Sequence, residues 1–185
     1  MKQNKSPKIY YIHGYQSTPK GEKALLFKKK LKATPITYRD CSPEKLIISH
    51  CLTQISETIS HDTNVLLIGS SLGGFLAAKT ALENCCVKTL ILLNPAIIPP
   101  ETNLNIDSDV PKNILEDMKE RKLFETQLSS NIIIIRGIND TVVPDEWIIK
   151  FAKAQQATVI FLDDDHRLSH HLKKLPTIIK FYINR

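Results

Sequence analysis

The chain has 185 residues, of which 42% are hydrophobic and 24% charged, and its formal net charge at pH 7 is +6. This size suits one globular domain with its own core and leaves little room for a second. No apolar stretch reaches membrane-spanning length and none resembles a secretory signal, so we expect neither a membrane span nor export.

The four cysteines show neither the spacing of a disulfide framework nor a Cys-x-x-Cys zinc pair. Because no export signal accompanies them, we expect reduced thiols in a cytoplasmic protein that has no metal site. These residues are Cys41, Cys51, Cys85 and Cys86.

The positive charge is concentrated in residues 1–40, which carry ten Lys or Arg and two Asp or Glu. A solvated helix face explains these lysines, and attraction of an anionic substrate is the alternative. No nucleic-acid-reading motif and no interleaved aromatic residues accompany them, so we do not expect a nucleic-acid partner. The lysines concerned are Lys20, Lys23, Lys28, Lys29, Lys30 and Lys32.

Short apolar runs alternate with segments of helical spacing along the chain. Strands are predicted at Lys8–His13, Ile36–Arg39, Val65–Ile68, Lys88–Leu93, Asn131–Arg136 and Thr158–Leu162. Helices are predicted at residues 20–32, 43–60, with Ile47 on its buried side, and 72–84, and Pro144 and Pro176 stand where first helical residues are expected. Continuous Ile, Val and Leu runs are typical of strands buried on both faces. The alternation therefore predicts a three-layer, doubly wound, mainly parallel sheet of about six strands with helices on both faces.

One segment, residues 97–130, interrupts this alternation. It contains a Pro-Pro pair, a polar run and then an amphipathic stretch. As an insertion after a strand end, it falls on the side of such a sheet where ligands bind. A small lid and an ordinary connecting helix both agree with this sequence.

A Gly-x-Ser-x-Gly pattern joins the third predicted strand to the helix that follows it. The glycines are Gly69 and Gly73, and Ser71 lies at the tip of the turn. Glycine lets the chain bend sharply without Cβ clashes, and the first helical amide, that of Leu72, is left free to face developing negative charge. A turn that merely packs a helix close to a sheet is the structural alternative, but the strand before and the helix after favour a nucleophile.

A serine nucleophile needs a general base and an acid that orients the base. In doubly wound hydrolases these follow the serine along the chain, in loops at strand ends. Asp140 comes just after the fifth predicted strand and His166 just after the sixth. Asp145 and Asp163 are fallback choices for the acid.

The loop after the first strand offers a second oxyanion donor. Gly14 lets this loop turn so that the amide of Tyr15, or alternatively that of Gln16, faces the serine. Together with the amide of Leu72, it would form a two-donor hole for a tetrahedral intermediate. We expect His13 to pack within this loop rather than to act as a base.

Taken together, these motifs resemble the α/β-hydrolase superfamily, and the chain is similar to its small bacterial esterase-like members over nearly its whole length. The motifs are His13-Gly14, Gly69-x-Ser71-x-Gly73-Gly74, Gly137-x-x-Asp140-x-x-Val143-Pro144 and Asp165-His166-Arg167-Leu168. The resemblance implies one minimal α/β-hydrolase domain over residues 1–185, without the two antiparallel N-terminal strands of larger members. It also implies Ser71 as nucleophile, His166 as general base and then acid, and Asp140 as its orienter.

The predicted histidine loop departs from the commoner family pattern, because Asp164-Asp165 stands where small residues are usual. His166 and His170 have the i, i+4 spacing of a zinc pair, but Arg167 occupies the place of the glutamate such a motif needs. We expect His170 and His171 to lie on a solvated face.

These observations predict a cytoplasmic serine esterase or thioesterase that acts on a small-molecule acyl ester or thioester without a metal or organic cofactor. The lysine-rich helix suggests an anionic leaving group, such as coenzyme A, as a narrower hypothesis. The alternatives are a non-catalytic binding protein on the same scaffold and a small serine peptidase.

Overall fold

The computed structural model describes residues 6–104 and 108–183. Within them, six strands form one all-parallel sheet in the order β2-β1-β3-β4-β5-β6. The strands are β1 (Lys8–Ile12), β2 (Thr34–Pro35), β3 (Val65–Ser70), β4 (Val87–Leu93), β5 (Asn131–Gly137) and β6 (Thr158–Leu162). The predicted doubly wound parallel architecture is confirmed.

Helices cover both faces of the sheet, and they are α1 (Glu22–Leu31), α2 (Ile48–Ile59), α3 (Leu72–Glu83), α4 (Lys112–Asp117), α5 (Lys122–Glu125), α6 (Asp145–Gln155) and α7 (Leu175–Ile183). Because alternate strand residues point to opposite faces, the core has two halves. Val65 and Leu67 pack towards α2 and α3, whereas Leu66 and Ile68 pack towards α1 and α7. None of the helices in the described ranges is long and apolar enough to cross a membrane.

The second strand differs from the prediction. It was expected at residues 36–39, but the chain pairs with β1 only at Thr34–Pro35. One further hydrogen bond follows, from the Ile36 N–H to the Tyr11 carbonyl at 2.9 Å. The next residues leave the sheet because their side chains turn to the loop after β1, as described below.

Three predicted helix positions also need correction. Ile47 was expected on the buried side of α2, but it precedes the helix and is 50% exposed, and the buried stripe starts at Ile48. Pro144 is the N-cap of α6 rather than its first residue, and Pro176 is the second residue of α7. Both prolines are tolerated because N–H groups in the first turn have no acceptor within the helix.

The insertion at residues 97–130 holds α4 and α5, whose apolar side chains are buried in the same core as α3 and α6. At one point it reaches the loop after β1, where Gln16 Nε2 donates to Asp109 Oδ2 at 3.1 Å. The predicted domain at residues 1–185 and the candidate lid both include residues outside the described ranges, and the lid stays a prediction.

Candidate active site

Ser71 lies at the turn between β3 and α3 in a backbone conformation that side-chain-bearing residues rarely adopt, with φ 53° and ψ −119°. Such strain persists only where the surroundings impose it. Here the Ser71 N–H donates to the Leu93 carbonyl at 3.0 Å, and the Ser71 carbonyl accepts from the N–H groups of Gly74 at 2.8 Å and Ala96 at 3.1 Å. The turn therefore presents the hydroxyl above the carboxyl ends of the strands.

At Gly73, α3 lies very close to the end of β1. A Cβ there would lie 2.5 Å from the His13 carbonyl oxygen and closer still to that of Ile12, so backbone would have to move. We expect Gly73→Ala to lower the free energy of unfolding by about 3 kcal/mol, measured by urea unfolding. A Cβ at Gly14 meets the Ser70 carbonyl at 3.3 Å, so Gly14→Ala needs only a small shift and should cost much less. Equal losses in the two variants would contradict this account.

Two later loops bring His166 and Asp140 to Ser71. The His166 Nε2 atom lies 3.2 Å from Ser71 Oγ, and its Nδ1 atom lies 2.8 Å from Asp140 Oδ2. The carboxyl of Asp140 is fully buried, whereas the imidazole is 22% exposed. The structure thus brings the three predicted side chains into one hydrogen-bonded line, and their catalytic roles are taken up under Proposed function.

Several hydrogen bonds hold Asp140 as a carboxylate. Its Oδ1 atom accepts from the N–H groups of Val142 at 2.7 Å and Val143 at 3.1 Å. Burial by itself would raise the pKa of Asp140, but the hydrogen bond and charge of His166, together with these two amides, hold the pKa below its ordinary value. An ionised Asp140 favours the imidazole tautomer with its proton on Nδ1, which leaves Nε2 free to accept the serine proton.

The histidine loop is built around the fully buried carboxylate of Asp164. This carboxylate accepts hydrogen bonds from the N–H groups of Asp165 at 2.9 Å, His170 at 3.1 Å and His171 at 2.8 Å, and His171 Nδ1 lies 2.9 Å from it. Asp164 therefore ties together both ends of the loop that carries His166. His170 lies on a solvated face as predicted, but the prediction for His171 was wrong, because this ring is half-buried against Asp164.

The same carboxylate makes stability depend on pH. Burial would raise the pKa of Asp164, but the backbone amides around it outweigh burial and lower the pKa. A carboxyl with a lowered folded-state pKa stabilises the protein above its unfolded pKa, and this contribution is lost as the pH falls through the folded-state value. We therefore expect Asp164→Asn to be less stable than wild type at pH 7 in urea unfolding, and the difference to shrink below about pH 4. Asp163→Asn removes the exposed neighbouring carboxylate and should change little, while a difference for Asp164→Asn that is independent of pH would contradict this prediction.

The loop after β1 is held by hydrogen bonds from Tyr38 and Arg39, two residues that were predicted to lie in a strand. The Tyr38 hydroxyl donates to the His13 carbonyl at 3.1 Å, and its ring stacks on the His13 imidazole with 4.4 Å between centroids. The Arg39 guanidinium donates to the carbonyls of Tyr15 at 2.7 Å and Ser17 at 2.9 Å. These contacts hold the peptide planes of the loop in place.

His13 itself packs within this loop, as expected. It is buried, and burial lowers the pKa of its imidazole to about 4, against the opposing effect of a hydrogen bond with the Gly14 carbonyl. The ring is therefore neutral at pH 7 and does not add charge beside Ser71.

The loop also touches the serine turn directly. A Cβ at Gly14 would lie 3.5 Å from the Cβ of Ser71. Tyr15 is the residue after Gly14, and Leu72 is the residue after Ser71. The backbone amides of Tyr15 and Leu72 therefore both lie next to the contact between Gly14 and Ser71. The arrangement is compatible with the predicted oxyanion hole, whose two donors stay a prediction.

Arg136, at the end of β5, was missed by the sequence analysis. It is 1% exposed, donates to Asp140 Oδ2 through Nη1, and donates to the Val143 carbonyl at 2.7 Å through Nη2. A signal was present, because a charged residue directly after Ile132–Ile135, in a strand buried on both faces, needs a nearby carboxylate. Asp140, four residues on, is that carboxylate.

Asn94, at the end of β4, was also missed. It is fully buried with φ 42°, and its Nδ2 donates to the carbonyls of Asp165 at 3.1 Å and His166 at 2.9 Å. Its Oδ1 accepts from the Gly137 N–H at 2.9 Å and from Arg136 Nη1 at 3.3 Å. One side chain therefore joins the loops that carry the candidate base and acid.

The two fallback acids have other partners. Asp145, which is 61% exposed, pairs with the Arg136 guanidinium at 2.8 Å. Asp163 accepts from Asn139 Nδ2 at 2.8 Å. Asp140 is therefore the carboxylate that the structure places on His166.

Two cavities adjoin the loop after β1 on the side of β2, and Ser71 lines neither of them. One has a volume of about 470 Å³ and includes Arg39 and His50 in its wall. The other, of about 280 Å³, includes His13 and Arg39. Arg39, Asp40 and Cys41 line both cavities.

A parallel sheet with a strained serine after β3, an acid loop after β5 and a histidine loop after β6 defines the α/β-hydrolase fold, and the predicted superfamily is confirmed. Residues 8–183 match the family described as "Uncharacterised protein family (UPF0227)", so the chain belongs to UPF0227. A comparison with curated proteins finds no match.

Solved structures agree with this fold. Est1E from Butyrivibrio proteoclasticus has a TM-score of 0.78 at 19% identity, covering 96% of this chain and 86% of its own. Alpha/beta hydrolase domain-containing protein 10 from mouse has a TM-score of 0.78 at 18% identity, covering 97% and 90%. A structure of Est1E with bound ferulic acid has a TM-score of 0.77 at 19% identity, covering 98% and 90%. At these identities the likeness establishes the fold.

Proposed function

We propose that the protein is a serine hydrolase that cleaves a small acyl ester or thioester through an acyl-enzyme. The observation that carries this proposal is the line from Ser71 Oγ to His166 Nε2 at 3.2 Å and from His166 Nδ1 to Asp140 Oδ2 at 2.8 Å. These distances and the strained turn at Ser71 are what acyl transfer by an activated serine requires.

In the acylation step, the Ser71 oxygen attacks the acyl carbon and its proton passes to Nε2 of His166. The buried carboxylate of Asp140 stabilises the resulting imidazolium. The carbonyl oxygen becomes an oxyanion, which the amides of Tyr15 and Leu72 would bind. The intermediate then collapses, and His166 gives its proton to the leaving oxygen or sulfur.

Deacylation repeats this sequence with water as the nucleophile. His166 takes a proton from the water, the hydroxide adds to the acyl carbon, and the second tetrahedral intermediate releases the acid while the proton returns to Ser71. The partial exposure of the His166 side chain lets water reach this position. No metal or organic cofactor takes part in these steps.

The position of the lysines bears on the leaving group. Lys28, Lys29 and Lys30 occupy the last turn of α1, and the chain then enters β2 level with Tyr10 in the middle of β1. Because α1 runs antiparallel to β1, its last turn lies towards the amino ends of the strands, whereas Ser71 lies at their carboxyl ends. These three lysines give an anionic leaving group little support, whereas Lys23, in the first turn of α1, interacts with Asp165 beside His166. Uncharged acyl esters and an acyl-coenzyme A are therefore both substrates to test.

Labelling with a fluorophosphonate, followed by peptide mass spectrometry, tests the proposal. We expect the adduct on Ser71, together with turnover of p-nitrophenyl acetate. A feruloyl ester, an acyl-coenzyme A at low and high salt, and a peptide anilide then separate an aromatic esterase, a thioesterase and a peptidase. Absence of both labelling and turnover would favour a non-catalytic binding protein, and an adduct on another residue would overturn the mechanism.

A further inference from the structure

The buried guanidinium of Arg136 contacts the candidate acid Asp140, and the reaction described above leaves it without a role. Besides Asp140 Oδ2 and the Val143 carbonyl, Arg136 donates to the Asp140 carbonyl at 3.2 Å, to Asn94 Oδ1 at 3.3 Å and, through Nε, to Asp145 Oδ1 at 2.9 Å. Its planar fork of donors is thus matched by acceptors from β4, the acid loop and the start of α6. A buried charge with this many partners has a defined position.

One oxygen of the acid is shared by two side chains. Asp140 Oδ2 accepts from Arg136 Nη1 and also lies 2.8 Å from Nδ1 of His166, while Oδ1 is taken by backbone amides. When His166 becomes protonated, it therefore shares its counter-ion with a permanent positive charge. In a triad whose acid is bound only by neutral donors, the imidazolium would be the only cation that contacts the carboxylate.

We propose that Arg136 is a positioning residue that orients Asp140 and, by sharing its Oδ2 atom, limits how strongly His166 holds a proton. The catalytic consequence rests on the function proposed above. A base that releases its proton more readily is deprotonated over a wider pH range and is a better acid towards the leaving group. Asn94 supports the arrangement, since it binds Arg136 and the carbonyl of His166 at once.

Among the described residues, the charges that contact Asp140 or Arg136 come from three elements, while Lys23 of α1 interacts with Asp164, Asp165 and Arg167 in the histidine loop. Arg136 is contributed by β5, Asp145 by the first turn of α6, and His166 by the loop after β6, while Asn94, the residue after β4, contributes a neutral amide. Asp164 and Asp165, which precede His166 in the chain, accept hydrogen bonds from backbone amides of their own loop.

The proposal predicts opposite effects for two substitutions. Arg136→Met removes the competing cation, so His166 should become protonated at a pH about one unit higher than in wild type. Asp145→Asn removes the second counter-ion of Arg136 and should move the midpoint to lower pH. Arg136→Lys keeps the charge but loses the fork, so it should leave the midpoint near that of wild type while lowering kcat by about 100-fold.

The test is an NMR titration of the His166 ring in ¹³C,¹⁵N-histidine-labelled protein, assigned with a His166→Gln variant and run on wild type and the three variants. The acid limb of the kcat/KM profile for p-nitrophenyl acetate should move in the same direction as the NMR midpoint. An unchanged midpoint in Arg136→Met, or shifts of the same sign in Arg136→Met and Asp145→Asn, would overturn the proposal. If Arg136→Met does not fold, the Asp145→Asn variant still tests the proposal, because Asp145 is exposed and its replacement should not prevent folding. An unchanged or raised His166 midpoint in Asp145→Asn would contradict the proposal.

The NMR measurement needs no substrate, so it separates this proposal from the proposed function. If wild type neither hydrolyses esters nor is labelled at Ser71, the proposed function fails. The predicted shifts of the His166 titration would still establish the control of the imidazole by Arg136.

Discussion

Replacing Ser71 with alanine is expected to reduce ester turnover by about four orders of magnitude or more and to abolish fluorophosphonate labelling. The reason is that the acyl-enzyme cannot form without Oγ, and water held at the site is a poorer nucleophile than the activated serine. Within residues 6–104 and 108–183, the side-chain hydrogen bond that alanine at Ser71 removes is that with His166 Nε2. Steady-state kinetics with p-nitrophenyl acetate, together with the labelling assay, measure both effects.

The neighbouring serine provides a matched control. Ser70 is a buried β3 residue one position before the turn, and its side chain bonds with Tyr11 rather than with His166. Ser70→Ala should keep labelling and turnover within a few-fold of wild type. Turnover by Ser71→Ala equal to that of Ser70→Ala would remove Ser71 from the mechanism.

Replacing Asp140 with asparagine should produce two separate losses. Turnover should fall by about 10⁴-fold, because an amide no longer favours the Nδ1–H tautomer and no longer stabilises the imidazolium. In this protein the fold should also lose about 3 kcal/mol of stability, since Arg136 keeps its buried charge and loses its buried carboxylate. Arg136 keeps its ion pair with the partly exposed Asp145, so we expect a cost at the lower end of the range for broken buried ion pairs.

A double variant separates the two losses. Asp140→Asn combined with Arg136→Met removes both charges, so urea unfolding should show stability recovered relative to Asp140→Asn alone, while turnover stays low. Asp163→Asn, which alters a nearby carboxylate bound to Asn139, should leave both properties near wild type. Full turnover by Asp140→Asn would move the acid role to another residue, and failure of the double variant to recover stability would contradict the charge argument.

The sequence predicted the fold because its signals are local. Runs such as Ile132–Ile135 indicate strands buried on both faces, and Gly69 and Gly73 mark the tight turn at Ser71. Chain order and strand ends also predicted that Asp140 and His166 would lie near Ser71 as candidate acid and base, since the carboxyl ends of parallel strands meet at one edge of the sheet.

The errors concern residues whose side chains form hydrogen bonds that their local sequence pattern does not indicate. The apolar and β-branched character of residues 36–39 predicted a strand, but Tyr38 and Arg39 bind the loop after β1, and this draws the chain off the sheet. His171 was placed in solvent because its partner, Asp164, was recognised only as a departure from the usual small residues. For Tyr38 and Arg39 a tertiary hydrogen bond overrode the local preference, and for His171 a hydrogen bond within its own loop did so.

The sequence by itself therefore determined the parallel sheet, the serine turn and the order of the candidate base and acid, because periodicity and glycine spacing are properties of neighbouring residues. Only the tertiary structure decided how these groups are held. Asn94 binds the carbonyl of His166, 72 positions away in the chain, and accepts from Arg136, 42 positions away. The partners of a buried polar group depend on which strand ends become neighbours in the sheet, and no spacing within a single segment records that.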